Sequence, residues 1–326
     1  MKRLIEKSMQ GQALSYQESY QLIEDINTGI IQAENLAALL ISIQIRGVQL
    51  SELTGLRDAL LHFATPVSLD GTNAIDLCGT GGDGKDTFNI STTTSLVLAA
   101  MGIKVIKHGN YGVSSICGSS NVLEELGFPL TDDLKILESQ LNKQNFCFLH
   151  APMFHPTLKA VASVRKNLGL RTIFNSLGPL VNPVQPEYQL TGTFSLELAQ
   201  IYQYMLKDKR KSFKVVHSLD GYDEITLTDT TRIYSQEKEI NRSFSDFDLQ
   251  RIAPSALLGG KTIKESAHII RTILSGNGTT EQNNIIACNA AEALQCLNPD
   301  ATIKDLFKES LAFIHGGHTS KHFNFN

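Results

Sequence analysis

The sequence predicts an α/β protein: an all-helical N-terminal part, then a larger part with a mostly parallel central sheet flanked by helices. Three observations carry this. Through about residue 65 the apolar positions recur only at helical spacing. From residue 73 onward short apolar runs alternate with helical stretches, the rhythm of a parallel sheet. Between the two lies a loop with glycines at 79, 81, 82 and 84, which closes the first apolar run and precedes a helix.

In chain order, Ser15 with Glu18 is a capping box opening a helix over 16–26, and 33–46 is apolar on one face and stops at Gly47. Ser51 is expected to open a helix over 52–63. Helices this short do not bury a core alone, so they must pack on each other, on later helices or on another subunit. Thr65-Pro66 breaks the pattern, and 68–73 reads as a linker. A buried strand is expected over 73–78, and Ser91 is expected to cap the run through 96–101, with Gly102 as its stop. A second strand follows over 104–107. Helices over 122–126 and 134–141, a strand over 146–150, and a helix over 156–168 stopped by Gly169 come next. A strand over 189–194, a helix over 196–207 and a strand over 213–217 continue the alternation. Residues 225–228 and 231–234 read as an antiparallel hairpin around Asp229 and Thr230, and helices near 261–275, 283–297 and 302–315 complete the chain.

The 326 residues are 42% hydrophobic and 19% charged, ordinary for a globular protein and enough for two structural units. A net charge of −4 leaves no global basic field for nucleic acid or anionic membrane, so an anionic substrate must be held locally. Five cysteines form no CxxC pair and leave an odd one, which suits a reducing compartment. The N-terminus has no signal-peptide core and no apolar run is long enough to span a bilayer, so a soluble, intracellular protein is expected.

The unit over 73–110 reads as strand, glycine loop, helix, strand, with free N–H groups and a positive dipole end facing the loop. It looks like a phosphate cradle. Gly79 to Lys85 fits the start of a P-loop, but Asp86 stands where a magnesium-binding Ser or Thr is required. The same glycines satisfy G-x-G-x-x-G, yet the following strand ends in Lys107 and His108, not in the acid that would hold a ribose hydroxyl. A glycine turn without a ligand is the bland alternative. The polar cluster Lys107, His108 and Asn110 at the end of the second strand weighs against it.

Six segments carry a resemblance: GTGGD at 79–83, TFNIST at 87–92, KHGN at 107–110, GSSNVLEELG at 118–127, HPTLKAVASVRKNLGLRTIFNSLGPLVNP at 155–183 and DGYDEIT at 220–226. In this order they resemble the anthranilate phosphoribosyltransferase family over essentially the full chain. The resemblance implies a helical domain over residues 1–65 joined by helices from about 155–185, a phosphoribosyl-pyrophosphate-binding domain over 73–326, and a cleft between them. It also implies a cytoplasmic homodimer, through the helical domain, acting in tryptophan biosynthesis. The implied reaction is the magnesium-dependent transfer of phosphoribosyl from phosphoribosyl pyrophosphate to the amine of anthranilate.

Breaking the glycosidic C–O bond leaves positive charge on the ribose and negative charge on the departing pyrophosphate, which needs counter-charge. The resemblance assigns that role to Gly79, Gly82, Asp83, Thr87, Asn89, Ile90, Ser91, Thr92, Lys107 and Ser119. Magnesium wants oxygen ligands, which Asp223 and Glu224 offer, with the Ser91 hydroxyl as a third by family analogy. Anthranilate is an amine already neutral at pH 7, so it needs positioning more than deprotonation. Its carboxylate is matched by Arg165, whose guanidinium pairs with carboxylate in a fork. Gly79, Asn110, His108 and His155 would line the same pocket. Tyr111, Ile116 and Cys117 stand where the family commonly has an arginine, a lysine and a serine, so two cations are absent. Pyrimidine nucleoside phosphorylase and a nucleic-acid-binding relative of the same fold are the alternatives. The acidic pair weighs against the first, and 29 basic against 33 acidic residues against the second. His318 and His322 have a spacing that could chelate metal on a helix, but Gly316-Gly317 favours a frayed end.

Overall fold

The N-terminal residues form four helices, α1 (Lys2–Met9), α2 (Tyr16–Asn27), α3 (Ala33–Arg46) and α4 (Leu50–His62), in a computed structural model that describes residues 1–112 and 116–325. α2 starts with the expected capping box: Ser15 Oγ accepts the Glu18 N–H at 3.1 Å, and the Glu18 carboxylate accepts the Ser15 N–H at 2.8 Å. α3 stops at Gly47, where φ is +90°. α4 begins earlier than expected because Gln49, not Ser51, is its cap, while the Ser51 hydroxyl donates to the Leu14 carbonyl at 2.8 Å. Glu52 explains this: fully buried, it accepts the N–H groups of Gln49 and Leu14, each at 3.0 Å, and pairs with Arg46. α1 is amphipathic and was not among the expected helices.

The larger part is built on seven strands. They are β1 (Ile75–Leu77), β2 (Val105–Gly109), β3 (Phe146–His150), β4 (Tyr188–Gly192), β5 (Ser212–Ser218), β6 (Thr231–Tyr234) and β7 (Glu239–Arg242). Their order is β3-β2-β1-β4-β5-β6-β7, with the first five parallel and the last two antiparallel. Interleaved are α5 (Ile90–Ala100), α6 (Ser119–Glu125), α7 (Leu134–Gln144), α8 (Ala151–Phe154), α9 (Pro156–Ala160), α10 (Ala162–Leu168) and α11 (Leu196–Leu206). α12 (Ile263–Leu274), α13 (Thr280–Leu297), α14 (Ile303–His315) and α15 (His318–Phe323) close the chain.

Alternate strand residues enter opposite cores, as the two-residue period requires. Phe146 and Phe148 join the large core with α5, α12, α13 and α14, while Cys147 and Leu149 face α7. Phe213 and Val215 of β5 instead join the core shared by the N-terminal helices, Leu158, Val161, Val164 and α11. α9 and α10 therefore pack with the N-terminal helices, and the Thr157 hydroxyl donates to Asn27 Oδ1 at 2.6 Å. Strand numbering turns back between β1 and β4, so their carboxyl ends open the crevice where ligands bind in such sheets.

Three expectations need correction. Residues 225–228 are not a strand: Leu227 has φ +63°, and Asn289 ties down Ile225 by accepting its N–H at 3.3 Å and donating to its carbonyl at 2.8 Å. The hairpin instead pairs β6 with β7 through the turn in which the Ser235 N–H donates to the Lys238 carbonyl at 2.9 Å. The helix over 156–168 is two pieces, α9 and α10, divided at Val161. The tail after Gly317 is not frayed. α15 docks there because Phe323 is buried against Phe128 and Phe146, and His322 Nε2 meets the Gln144 carbonyl at 3.0 Å. That nitrogen is engaged at a carbonyl, and among the described residues no group of three metal-ligating side chains forms around His318 and His322.

Candidate active site between the sheet edge and the helical layer

β1 ends at Leu77 and releases the chain into the glycine loop. Gly81, Gly82 and Gly84 all take left-handed φ, between +60° and +75°, which a side chain would resist. The loop is fixed at both sides: the Thr80 N–H donates to the Gly192 carbonyl at 3.0 Å, and the Gly81 N–H to Asp223 Oδ2 at 2.8 Å. α5 then begins two residues before the expected place. Asn89, not Ser91, is its N-cap residue, and the Asn89 side chain donates to the Cys117 carbonyl at 2.9 Å instead of capping. This frees Ser91 in the first turn, where its main-chain N–H donates to Glu224 Oε1 at 3.2 Å.

Lys107 on β2 is almost wholly buried and points its ammonium at the Leu77 carbonyl and, at 3.3 Å, the Ser91 hydroxyl. Asp76 stands nearby. Its carboxylate accepts the His108 N–H at 3.2 Å and the Asn182 amide at 3.0 Å, linking β1, β2 and the turn after residue 180. His108 offers Nδ1 to the Gly178 carbonyl at 3.0 Å, and its ring meets that of His155 edge-on at 5.3 Å. Burial pushes the His108 pKa down to about 3 and lowers that of His155, so both rings are neutral.

The cleft has a volume of about 250 Å³. It gathers Gly79, Gly82, Asp83, Thr87, Asn89, Ile90, Ser91, Thr92, Lys107, His108, Asn110, Arg165, Ser119, Asp223 and Glu224, drawn from residues 145 positions apart at the extremes (79 to 224). His155 is the exception: it lies behind His108, with Nε2 at the Val181 carbonyl, 2.7 Å away. Arg165 on α10 faces the sheet edge from the helical side, and burial lowers its pKa without an ion pair among the described residues. Phe174, Asn175 and Gly178 also line the cleft. They lie inside the 155–183 segment, but nothing in their residue types separated them from its structural positions. Lys85 was read only as the lysine of an incomplete P-loop match that fails at Asp86, and it too lines the cleft.

Asp83, Asp223 and Glu224 form an acidic floor. Burial, and then mutual repulsion, raise the pKa values of Asp223 and Glu224 well above the ordinary carboxylate range, and burial raises that of Asp83. A divalent cation would relieve that repulsion. Among the described residues no three His, Cys, Asp or Glu side chains are placed to enclose a metal alone, so further ligands must come from water, hydroxyls or substrate. That matches magnesium, which keeps waters and bridges carboxylates to phosphates. Cys78 and Cys117 are no nucleophiles here, since burial raises both thiol pKa values.

The fold and the cleft at its sheet edge are those of a glycosyl transferase, the class to which two family models assign the chain. Residues 71–320 match the family model described as glycosyl transferase family, a/b domain, and residues 2–64 match that described as glycosyl transferase family, helical bundle domain. The chain is 45% identical over 323 residues, 98% of each chain, to the anthranilate phosphoribosyltransferase of Flavobacterium psychrophilum. Among solved structures, that of the Thermus thermophilus anthranilate phosphoribosyltransferase superposes with a TM-score of 0.88 at 30% identity, covering 98% of this chain and 97% of that one. The Saccharomyces cerevisiae enzyme in complex with PRPP and Mg has the same fold, with a TM-score of 0.85 at 24% identity over 99% and 96%. The chain belongs to the anthranilate phosphoribosyltransferase family.

Proposed function

We propose that this protein transfers phosphoribosyl from phosphoribosyl pyrophosphate to the amine of anthranilate, giving N-(5-phosphoribosyl)anthranilate and pyrophosphate, a step of tryptophan biosynthesis. The observation that carries this reading is the meeting of the phosphate cradle with the acidic turn: Gly81 N–H on Asp223 and Ser91 N–H on Glu224. In the reaction the anthranilate nitrogen forms a bond to ribose C1 as the C1–O bond breaks, and the bonding pair leaves with pyrophosphate. The nitrogen gives up its proton afterwards, so no base is needed before attack.

The pyrophosphate group sits on the backbone of Gly79, Gly82 and Asp83 and on Thr87, Asn89, Ile90, Ser91 and Thr92, with Lys107 and Ser119 adding side-chain contacts. Arg165 forks the anthranilate carboxylate, and Gly79, Asn110, His108 and, from behind, His155 shape the pocket around its ring. Neutral histidines suit a pocket for an aromatic amine, because they add no charge beside the nitrogen. Asp223, Glu224 and the Ser91 hydroxyl would hold magnesium, which supplies counter-charge to the leaving group.

The same reading divides the chain into a helical domain over 1–65, joined by helices from about 155–185, and a substrate-binding domain over 73–326. It carries a homodimer through the helical domain, where Met9 and Ile45 are strongly exposed at 74% and 82%. The setting is cytoplasmic; no helix among the described residues is long and apolar enough to cross a membrane.

Anthranilate fluorescence tests the reading. Purified protein with phosphoribosyl pyrophosphate and magnesium is expected to consume the signal. An unchanged signal, together with phosphate-dependent cleavage of thymidine, would replace it with a nucleoside phosphorylase. Light scattering tests the dimer, for which a mass of one chain, 35.8 kDa, would be the contrary result.

A further inference from the structure

Three carboxylates (Asp83, Asp223, Glu224) and three permanent cations (Lys85, Lys107, Arg165) line the cleft. Two of the cations already have work. Lys107 is buried against the Leu77 carbonyl and Ser91, and Arg165 stands on the helical wall for the anthranilate carboxylate. Lys85 is different. It is half-buried at the cleft rim, directly after Gly84, and makes no ion pair with any carboxylate among the described residues. Its ammonium lies 4.6 Å from the centroid of the Tyr222 ring, and its Cε runs beside Gly221.

We propose that Lys85 is a further binding cation for the departing diphosphate, parked at the rim of the cleft by the aromatic face of Tyr222; this rests on the phosphoribosyl-transfer reading above. Several observations fit together. Tyr222 immediately precedes Asp223, so the ring ties Lys85 to the turn proposed to hold magnesium. The Lys85 N–H donates to Asp83 Oδ1 at 3.0 Å, a local turn that sets the direction in which the side chain leaves the loop. A cation over a ring at a half-buried rim, with no carboxylate beside it, is held less tightly than by phosphate oxygens, which offer charge-assisted hydrogen bonds. Exchange of one for the other is therefore favourable when a diphosphate arrives. Beyond the anchored Thr80 and Gly81, Gly82 and Gly84 precede Lys85 in left-handed conformations, and glycines there let the loop adapt at little steric cost. The need for the cation is specific to this chain, because Tyr111 and Ile116 occupy two positions where the resemblance calls for cations. As the C1–O bond breaks, charge grows on the diphosphate, so Lys85 binds the transition state more tightly than the ground state.

The test compares wild type with Lys85→Met, Lys85→Arg, Tyr222→Leu and Tyr222→Phe, by steady-state kinetics and by calorimetric titration of pyrophosphate in excess magnesium. Lys85→Met is expected to lower kcat/KM for phosphoribosyl pyrophosphate and the pyrophosphate affinity about tenfold each, the loss of one charge-assisted hydrogen bond. The KM for anthranilate should stay within about twofold, which a general loss of structure would not allow. Lys85→Arg should recover most of the loss, and the gap to wild type should narrow as salt is raised. Tyr222→Leu should reproduce part of the defect and Tyr222→Phe none. Pyrophosphate affinity and kcat/KM equal to wild type in Lys85→Met, with an active wild type, overturn this inference alone. A wild type that transfers no phosphoribosyl group, yet binds pyrophosphate in a Lys85-dependent way, overturns the reaction and leaves the anion site standing.

Discussion

The main-chain N–H of Ser91 donates to Glu224 Oε1 at 3.2 Å, joining residues 133 positions apart at the centre of the cleft. The helix start that would receive phosphate thus already touches the carboxylate that would hold its counter-ion. Movement of either element is felt by the other.

The first prediction follows from that contact. Asp223→Asn with Glu224→Gln removes both charges while keeping oxygen acceptors for the Gly81 and Ser91 N–H groups. Turnover with magnesium should fall at least about a hundredfold, the scale of losing charge stabilisation at a reacting centre. Thermal unfolding without magnesium should not be lower than wild type, since the change also removes repulsion between buried acids. Anthranilate fluorescence and calorimetry check the two halves, and near-normal turnover would remove the acidic turn from the reaction.

The second concerns pH. The folded pKa values of Asp223 and Glu224 lie above their unfolded values, so the folded state binds their protons more tightly. Their contribution to stability is therefore lost as pH rises from the unfolded carboxylate range, about 4, through about 8. Magnesium competes with those protons, so its stabilising effect should grow over the same interval. The neutral His108 and His150, with pKa values pushed down to about 3 and about 4 by burial, work oppositely below about 6.5. Melting temperatures measured against pH as the difference between wild type and the double variant isolate the acids. A difference that does not vary with pH would contradict this account.

Gly192 and Gly79 give the third. A Cβ on Gly192 would overlap the main-chain carbonyl of Asp223, which has nowhere to go, whereas one on Gly79 would lie 2.7 Å from Asp223 Oδ2, a side-chain atom that can swing. Gly192→Ala should therefore cost about 1–3 kcal/mol in urea unfolding, the usual range for forced overpacking. Gly79→Ala should cost less stability but raise the magnesium concentration needed for half-maximal rate. Equal stability losses in the two variants would refute the distinction.

Arg165 supplies the fourth. Arg165→Met should raise the KM for anthranilate about tenfold to a hundredfold, the loss of charged hydrogen bonds of about 1.5–3 kcal/mol. The KM for phosphoribosyl pyrophosphate should not follow. Arg165→Lys should recover the charge but not the fork, and so only part of the loss. If both substrates weaken together, the arginine is holding the helical layer in place and not the carboxylate.

Much of this arrangement is legible in the letters, and the failures have identifiable causes. Strands such as β3, an apolar run bounded by turn residues, are found at their true limits. The placing of Ser91 as a cap fails because the helix already starts at Ile90, with Asn89 as its N-cap residue even though that side chain is spent on the Cys117 carbonyl, 28 residues away. Residues 225–228 look like a strand because alternating Ile, Thr and Leu are strand formers, but α13 meets them through Asn289 and holds them as an irregular turn. β7 is missed because it is a polar edge strand with no buried face to signal it.

By itself the sequence determined what is local: the glycine conformations of the loop, the helix caps at Ser15 and Gly47, the apolar runs that become strands, and the ordered motifs that place the chain in its family. Only the tertiary structure decided which of these meet: that Gly192 must lack a side chain because Asp223 passes over it, that Lys85 rests on Tyr222, and that Ser91 faces Glu224. The reason is physical. Backbone preference and periodicity act over a few residues, whereas a cleft is made by contacts between segments from about thirty to more than a hundred residues apart, which no local pattern encodes.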